Sequence, residues 1–127
     1  MHVRDWELFL RKGAGREIAV AQLPRRYAAF LGATSDKVYL HHDYAVKAVA
    51  RHGVAARQFP FIFDTVERGI AIHDRDRHLT FFHETEEGWF QVTVKRAELS
   101  KRLYIATFYR SRLTRVQSKK KRYAAIP

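Results

Sequence analysis

The chain has 127 residues, of which 46% are hydrophobic, enough for one compact domain with its own core. No apolar run reaches the roughly 18 to 20 residues that span a bilayer, and the amino terminus carries charges where a signal peptide needs an apolar stretch. There are no cysteines, which excludes disulfides, thiolate nucleophiles and cysteine-ligated zinc. We therefore expect neither a transmembrane segment nor a signal peptide.

The charge balance indicates an anionic partner. The 24 lysines and arginines outnumber 13 acidic residues, and the formal net charge is +11. Nucleic acid is favoured, because clustered cations bind phosphates by displacing condensed counterions. The alternative is a basic surface that serves solubility or binds an acidic protein. We expect the protein to act in the cytoplasm, its own or that of a target cell reached as part of a larger protein, without membrane association.

The first half of the sequence has helical periodicity, with glycine or proline at the segment ends. A short strand is predicted at 16–23 and an extended piece at 38–40. Helices are predicted at 5–12, 24–31, 42–52 and 60–68, the last one capped by Gly69. Pro24 and Pro60 suit the first turn of a helix, and Gly32 and Gly53 suit the position just after one.

The second half alternates as strands do. Four strands are predicted at 69–73, 78–83, 89–95 and 103–110, joined by short polar turns. Such strands form an antiparallel meander. The fold class is therefore α+β, with N-terminal helices packed on a four-stranded antiparallel sheet. We expect one domain over 1–117 and a basic tail over 118–127, most simply a solvated run.

The segment 42–52 concentrates groups that bind phosphate or transfer protons. Tyr44, Lys47 and Arg51 lie three and four residues apart on one helical stripe, and His52 follows at the carboxyl end. The more ordinary interpretation is that Asp43 and Lys47 form an ion pair while Arg51 and His52 favour the negative end of the helix dipole.

The opposite stripe of that helix is predicted to face the core. Val46, Val49 and Ala50 recur at helical spacing and are the apolar residues that we expect to be buried.

The last predicted strand is the second candidate element. By alternation Thr107, Tyr109 and Ser111 share a face with Ile105, and their hydroxyls indicate a wet groove. Arg110 falls on the other face unless a bulge or the strand end redirects it. Lys95 ends the preceding strand, so it converges with these groups if the two strands pair. An ordinary half-exposed edge strand is the alternative.

Metal and cofactor sites are not expected. His41 and His42 are adjacent and point in different directions, and the polar run from His73 to His78 is explained by a turn between strands. The sequence contains no glycine-rich nucleotide loop and no Gly-x-Ser-x-Gly nucleophile motif.

Metal-independent RNA cleavage suits these residue types. A base removes the 2′-hydroxyl proton, an acid protonates the leaving 5′-oxygen, and cations stabilise the phosphorane. Imidazole exists in both protonation forms near neutrality, which fits the first two roles. Because the 2′-hydroxyl is the nucleophile, the reaction is restricted to RNA.

The sequence resembles a known nuclease superfamily over roughly Leu31 to Ser111. The similarity lies in Tyr-x-x-Lys-x-x-x-Arg-His-Gly at 44–53, in Asp64-Thr-Val-Glu-Arg-Gly69, and in the strand segments 78–83, 89–95 and 104–110. Together these are similar to the phage-associated branch of the barnase–EndoU–colicin–RelE superfamily. The resemblance implies helices on a four-stranded antiparallel sheet and a metal-independent ribonuclease of toxins or mobile elements.

The resemblance also implies roles for single residues. A helix His or Lys of this superfamily works with a Ser or Thr and with a Tyr or Arg of the last strand. These roles map to His52 and Lys47, with Thr107 and Tyr109 or Arg110.

The predicted function is therefore a toxin-like endoribonuclease. Its expected substrate is tRNA, mRNA or ribosome-associated RNA, and its expected protein partner an acidic antitoxin or immunity protein. We expect Arg51, Lys95, Tyr44 and Ser111 to bind substrate around the proposed catalytic residues. A non-catalytic basic module that binds nucleic acid or a protein partner is the alternative, as is an inactive superfamily member acting as an adaptor.

Overall fold

The computed structural model describes residues 2–123 and 125–126. The helices are α1 (Val3–Lys12), α2 (Arg25–Leu31), α3 (His42–His52), α4 (Phe61–Arg68) and α5 (Leu113–Arg122), with a short 3-10 helix at Ala56–Gln58. The strands are β1 (Glu17–Gln22), β2 (Lys37–His41), β3 (Ile70–Arg75), β4 (His78–Thr85), β5 (Gly88–Arg96) and β6 (Leu103–Arg110). In this described part of the chain, no helix has the length and apolarity to cross a membrane.

The six described strands form one mixed sheet in the order β1-β2-β6-β5-β4-β3. The strands β3 to β6 pair antiparallel in sequence order, as the predicted meander does. The sheet is larger than the predicted four-stranded antiparallel one, because β2 pairs in parallel with β6 and β1 pairs with β2. The α+β class is confirmed.

The two faces of the sheet have different coverings. Helices α1, α2 and α4 lie on one face, where they contribute Trp6, Tyr27 and Ile62 to the main core. The strand residues buried in this core are Val38, Leu40, Leu79, Phe81, Phe90, Val92, Val94, Leu103, Ile105 and Phe108. We call the opposite side of the sheet the outer face.

Helix α5 covers part of the outer face, and residues 118–122 of the predicted basic tail form its end. Lys119 is half-buried there, whereas residues 118 and 120–122 are exposed. Val116 is 1% exposed and packs with Ile72 and Phe82 in a second small core. Lys119, in the predicted tail, lies 3.5 Å from the Asp74 carboxylate. A single buried valine gives the helix its apolar contact, which is too weak a pattern to distinguish from a basic run. Residues 124 and 127 lie outside the described residues.

Helix α3 is fixed at both ends. At its start the His41 Nδ1 accepts a hydrogen bond from the Asp43 N–H at 3.1 Å. At its end Gly53 adopts a left-handed conformation (φ 65°), and its N–H donates to the Val49 carbonyl at 3.1 Å. His52 is therefore the last helical residue.

The position of α3 follows from the short pairing between β2 and β6. Their register covers only Val38 with Leu103 and Tyr39 with Tyr104, after which β2 leads directly into α3. The helix then takes the place of the strand beside the rest of β6.

The buried stripe of α3 differs from the predicted one. Ala45 and Ala48 are 0% and 4% exposed, whereas Val46 and Val49 are 40% and 39% exposed and Ala50 is also exposed. A helix lying against a strand edge approaches it closely, so the small side chains take the buried positions.

Candidate active site

A β-bulge sets which side chains of β6 face outward. Thr93 pairs with Thr107 while the next residue, Val94, pairs with Ile105, so Ala106 is an extra residue in β6. Ile105 therefore faces the core at 1% exposure, and the prediction that it shares a face with Thr107 is wrong. Beyond the bulge Thr107 and Tyr109 alternate with the buried Phe108 and so lie on the outer face.

Helix α3 and strand β6 enclose a cleft of about 180 Å³. Its walls contain five of the residues singled out in the sequence, which are Tyr44, Lys47, Arg51, His52 and Thr107. The remaining lining residues are Ala48, Ala106 and Phe108. Residues that are distant in the sequence thus meet, because α3 lies beside β6.

His52 and Tyr109 extend this cleft on the outer face. Their ring centroids are 4.7 Å apart and the ring planes differ by 30°. Arg115 of α5 places its guanidinium carbon 5.8 Å from the Tyr109 ring centroid, and its Nε donates to the Gln91 side-chain carbonyl at 3.4 Å. Sequence reasoning missed Arg115, since only the packing of α5 brings it near β6.

Two lysines flank one tyrosine in the same region. The Nζ atoms of Lys47 and Lys95 lie 5.5 and 5.8 Å from the Tyr44 ring centroid. Lys95 therefore converges with α3, as the expected pairing of β5 with β6 requires. Both ammonium groups are held by an aromatic face instead of a carboxylate.

The cations of the cleft are not neutralised by acidic partners. Asp43 lies 3.7 Å from His41 and 4.0 Å from His42, so the predicted Asp43–Lys47 ion pair is absent. No ion pair among residues 2–123 and 125–126 involves Lys47, Arg51 or Lys95. Their charge remains available to an anion.

Thr107 supplies a hydroxyl without a partner. Its Oγ1 is buried and, within the described part of the molecule, makes no hydrogen bond to protein. A buried hydroxyl without a hydrogen-bond partner lowers the free energy of unfolding by about 1 to 3 kcal/mol. Thr107 as a whole is only half-buried, and it lines the cleft.

Arg110 and Ser111 lie outside the cleft. They line a separate groove with Gly88, Trp89 and Arg112, at the end of the sheet where α5 begins. Arg110 shares the face of Phe108 by alternation, as the sequence indicated, and its guanidinium turns toward Gly88.

Three other histidines have contacts outside the cleft. The Nε2 of His42 lies 2.9 Å from the Leu10 carbonyl oxygen, and the Nδ1 of His78 lies 2.6 Å from that of Asp76. His73 meets the edge of Phe30 at a centroid distance of 5.0 Å. The described residues contain no group of three or more side chains arranged to hold a metal ion.

The cleft thus combines one imidazole, two unpaired cations and one unpaired hydroxyl at the protein surface, with Lys95 close by. Comparison with protein-family models, curated proteins and solved structures produced no match to this chain.

Proposed function

We propose that the protein is a metal-independent endoribonuclease whose active site is the α3–β6 cleft. The observation that carries this proposal is that His52 and Thr107, from different elements, line one cleft beside cations that have no acidic partner. Proton transfer, phosphate binding and hydrogen-bond donation are the functions that cleavage by the 2′-hydroxyl needs.

In the proposed reaction the 2′-oxygen loses its proton to a base and attacks the adjacent phosphorus. The bond from phosphorus to the 5′-oxygen breaks, and an acid protonates that oxygen, leaving a 2′,3′-cyclic phosphate. His52 serves as the general base or the general acid. Lys47 and Arg51 hold the phosphate and stabilise the negative charge that develops on its oxygens, and Lys95 supports them from β5.

Thr107 and Tyr109 orient the reacting groups in this proposal. Thr107 is half-buried while its Oγ1 is covered, so a rotation about χ1 would present the hydroxyl to a non-bridging phosphate oxygen. Tyr109 holds the His52 imidazole by ring contact at 4.7 Å. Arg110 and Ser111 are left out of the reacting set, since they line the other groove.

We further propose that the chain belongs to the barnase–EndoU–colicin–RelE superfamily and acts as a toxin of a phage or mobile element. The antiparallel order of β3 to β6 and the placement of α3 beside β6 support the resemblance stated above. The RNA substrate would be met in the cytoplasm of the producing cell or of a target cell. A net charge of +11 favours an acidic antitoxin or immunity protein as the neutralising partner.

The test is cleavage of purified RNA in the presence of EDTA. We expect His52→Ala to reduce cleavage by about 100-fold or more, as loss of a general acid or base does. His73→Ala is the matched control, because His73 is an exposed histidine on β3 and does not line the cleft. Absence of cleavage by the wild type, or equal cleavage by the two variants, contradicts the proposal.

A non-catalytic RNA- or DNA-binding module is the second candidate. It is favoured by α5, whose last turn contains Lys119, Lys120, Lys121 and Arg122. In that case replacing Lys120 and Lys121 with glutamine would weaken nucleic-acid binding more than His52→Ala does, and RNA would remain intact.

A further inference from the structure

A pair of tyrosines lies on the outer face of the sheet next to the cleft. Tyr39 of β2 and Tyr104 of β6 are register partners, and their ring centroids are 6.2 Å apart. Both are half-buried and face away from the main core, since their strand neighbours Val38 and Leu103 are fully buried. We call Tyr39, Tyr104 and the adjacent Arg102 the tyrosine platform.

Arg102 gives the platform a fixed cation. Its guanidinium carbon lies 4.1 Å from the Tyr39 ring centroid and 5.5 Å from that of Tyr104. A contact of 2.7 Å with the Glu17 carboxylate holds the guanidinium in this position. The fold thus assembles two aromatic rings and a guanidinium from β2, β6 and the residue before β6.

The platform is continuous with the cleft. Tyr104 pairs in register with Lys95, whose Nζ lies 5.8 Å from the Tyr44 ring centroid on the cleft wall. With the extra residue Ala106 discounted, Thr107 lies two strand steps from Tyr104, about 7 Å. A nucleotide whose phosphate occupies the cleft therefore has its neighbours within reach of the platform.

We propose that the tyrosine platform stacks unpaired bases of single-stranded RNA next to the scissile phosphate. Aromatic rings and guanidinium planes are the surfaces on which splayed bases stack, and the adjacent cations follow the phosphate backbone. The face of the sheet thereby selects unpaired RNA over duplex, whose bases are stacked on each other. This inference rests on the proposed ribonuclease function for its location, but it makes a separate claim about binding.

The test uses a fluorescein-labelled, single-stranded 2′-O-methyl oligonucleotide, which cannot be cleaved because the attacking hydroxyl is blocked. Fluorescence anisotropy in EDTA gives the dissociation constant whether or not the protein is a nuclease. We expect Tyr39→Leu and Tyr104→Leu each to weaken binding by about fivefold or more. Phe30→Leu is the matched control, because Phe30 is an exposed aromatic, 50% accessible, that contacts His73 of β3, the strand at the other edge of the sheet.

An abasic probe of equal length separates stacking from charge. Wild type and Tyr104→Leu should bind it equally, since no base remains to stack. Tyr104→Phe should keep wild-type affinity for the complete probe, which shows that the ring and not the hydroxyl is needed. Urea unfolding of each variant verifies that the sheet is intact.

Two results would contradict the proposal that the platform stacks bases. One is wild-type affinity of both leucine variants for the complete probe, and the other is an equal loss of affinity for the abasic probe. If the platform variants behave as expected while wild-type protein leaves RNA uncleaved, base stacking stands and the proposed ribonuclease function fails. If RNA is cleaved and the leucine variants bind normally, the proposed ribonuclease function stands and base stacking on the platform fails.

Discussion

Replacing Thr107 with valine should raise the stability of the protein and lower its activity. Valine keeps the shape and β-branching of threonine but removes the hydroxyl. In the folded chain Oγ1 of Thr107 is buried and has no hydrogen-bond partner in the described residues. Removing a buried, unsatisfied hydroxyl should increase the free energy of unfolding by about 1 kcal/mol. Cleavage should fall by about 100-fold if that hydroxyl donates to the phosphorane.

Two other buried threonines make the experiment decisive. Thr80 is 1% exposed, and its hydroxyl lies 3.1 Å from Asp74 Oδ1 and 3.0 Å from Thr93 Oγ1. Thr80→Val should therefore lower the free energy of unfolding by about 1 to 3 kcal/mol. Thr65, 0% exposed, has an unpartnered hydroxyl like that of Thr107 but lies on α4. Thr65→Val should stabilise the protein without changing cleavage.

The assays are urea unfolding for stability and initial rates of RNA cleavage in EDTA for activity. Stability and activity are expected to move in opposite directions for Thr107→Val alone. A Thr107→Val protein that is destabilised would show that the hydroxyl has a structural partner. A stabilised variant that cleaves at the wild-type rate would remove Thr107 from the reacting set.

Three further changes test the packing of α3, the packing of α5 and a surface ion pair. Ala48 is 4% exposed where α3 packs, so Ala48→Leu should lower the free energy of unfolding in urea by about 1 to 3 kcal/mol and reduce cleavage. Ala50 is exposed on the same helix, and Ala50→Leu should leave both quantities unchanged within error. Val116→Ala should cost about 2 kcal/mol if α5 is packed as described, measured by thermal unfolding. Hydrogen bonds from Arg57 and Gln58 lower the pKa of Glu87 below its usual 4.5, so the stability from this group is present above that pH and lost as pH falls. The stability difference between wild type and Glu87→Gln should therefore shrink as the pH falls from 4.5 through the lowered pKa of the folded state, and a constant difference would contradict the linkage.

Local signals made much of the fold predictable. Gly32 and Gly53 adopt the left-handed conformation that ends a helix, and each predicted helix or strand before α5 falls within two residues of its observed bounds. The meander was predictable as well, because its turns are short and join neighbouring strands.

Contacts between distant segments were not predictable in the same way. The parallel pairing of Tyr39 with Tyr104 joins positions with no sequence signal in common. The bulge at Ala106 likewise depends on the register with β5, and it changes which face Ile105 occupies. In α3, hydrophobicity favoured Val46 as a core residue. The buried residues are Ala45 and Ala48, because the helix lies too close to the strand for larger side chains.

The bulge also explains why the helix wall and the strand wall of the cleft have nearly the same length. From Tyr44 to His52 the helix rises about 12 Å, at 1.5 Å per residue. From Tyr104 to Tyr109 the strand advances about 13 Å once the extra residue at Ala106 is discounted. The ends correspond accordingly, since Lys95, the register partner of Tyr104, approaches Tyr44 while the Tyr109 ring contacts His52. Without the bulge Thr107 would face the core, and the helix would present its cations to a strand with no hydroxyl between them.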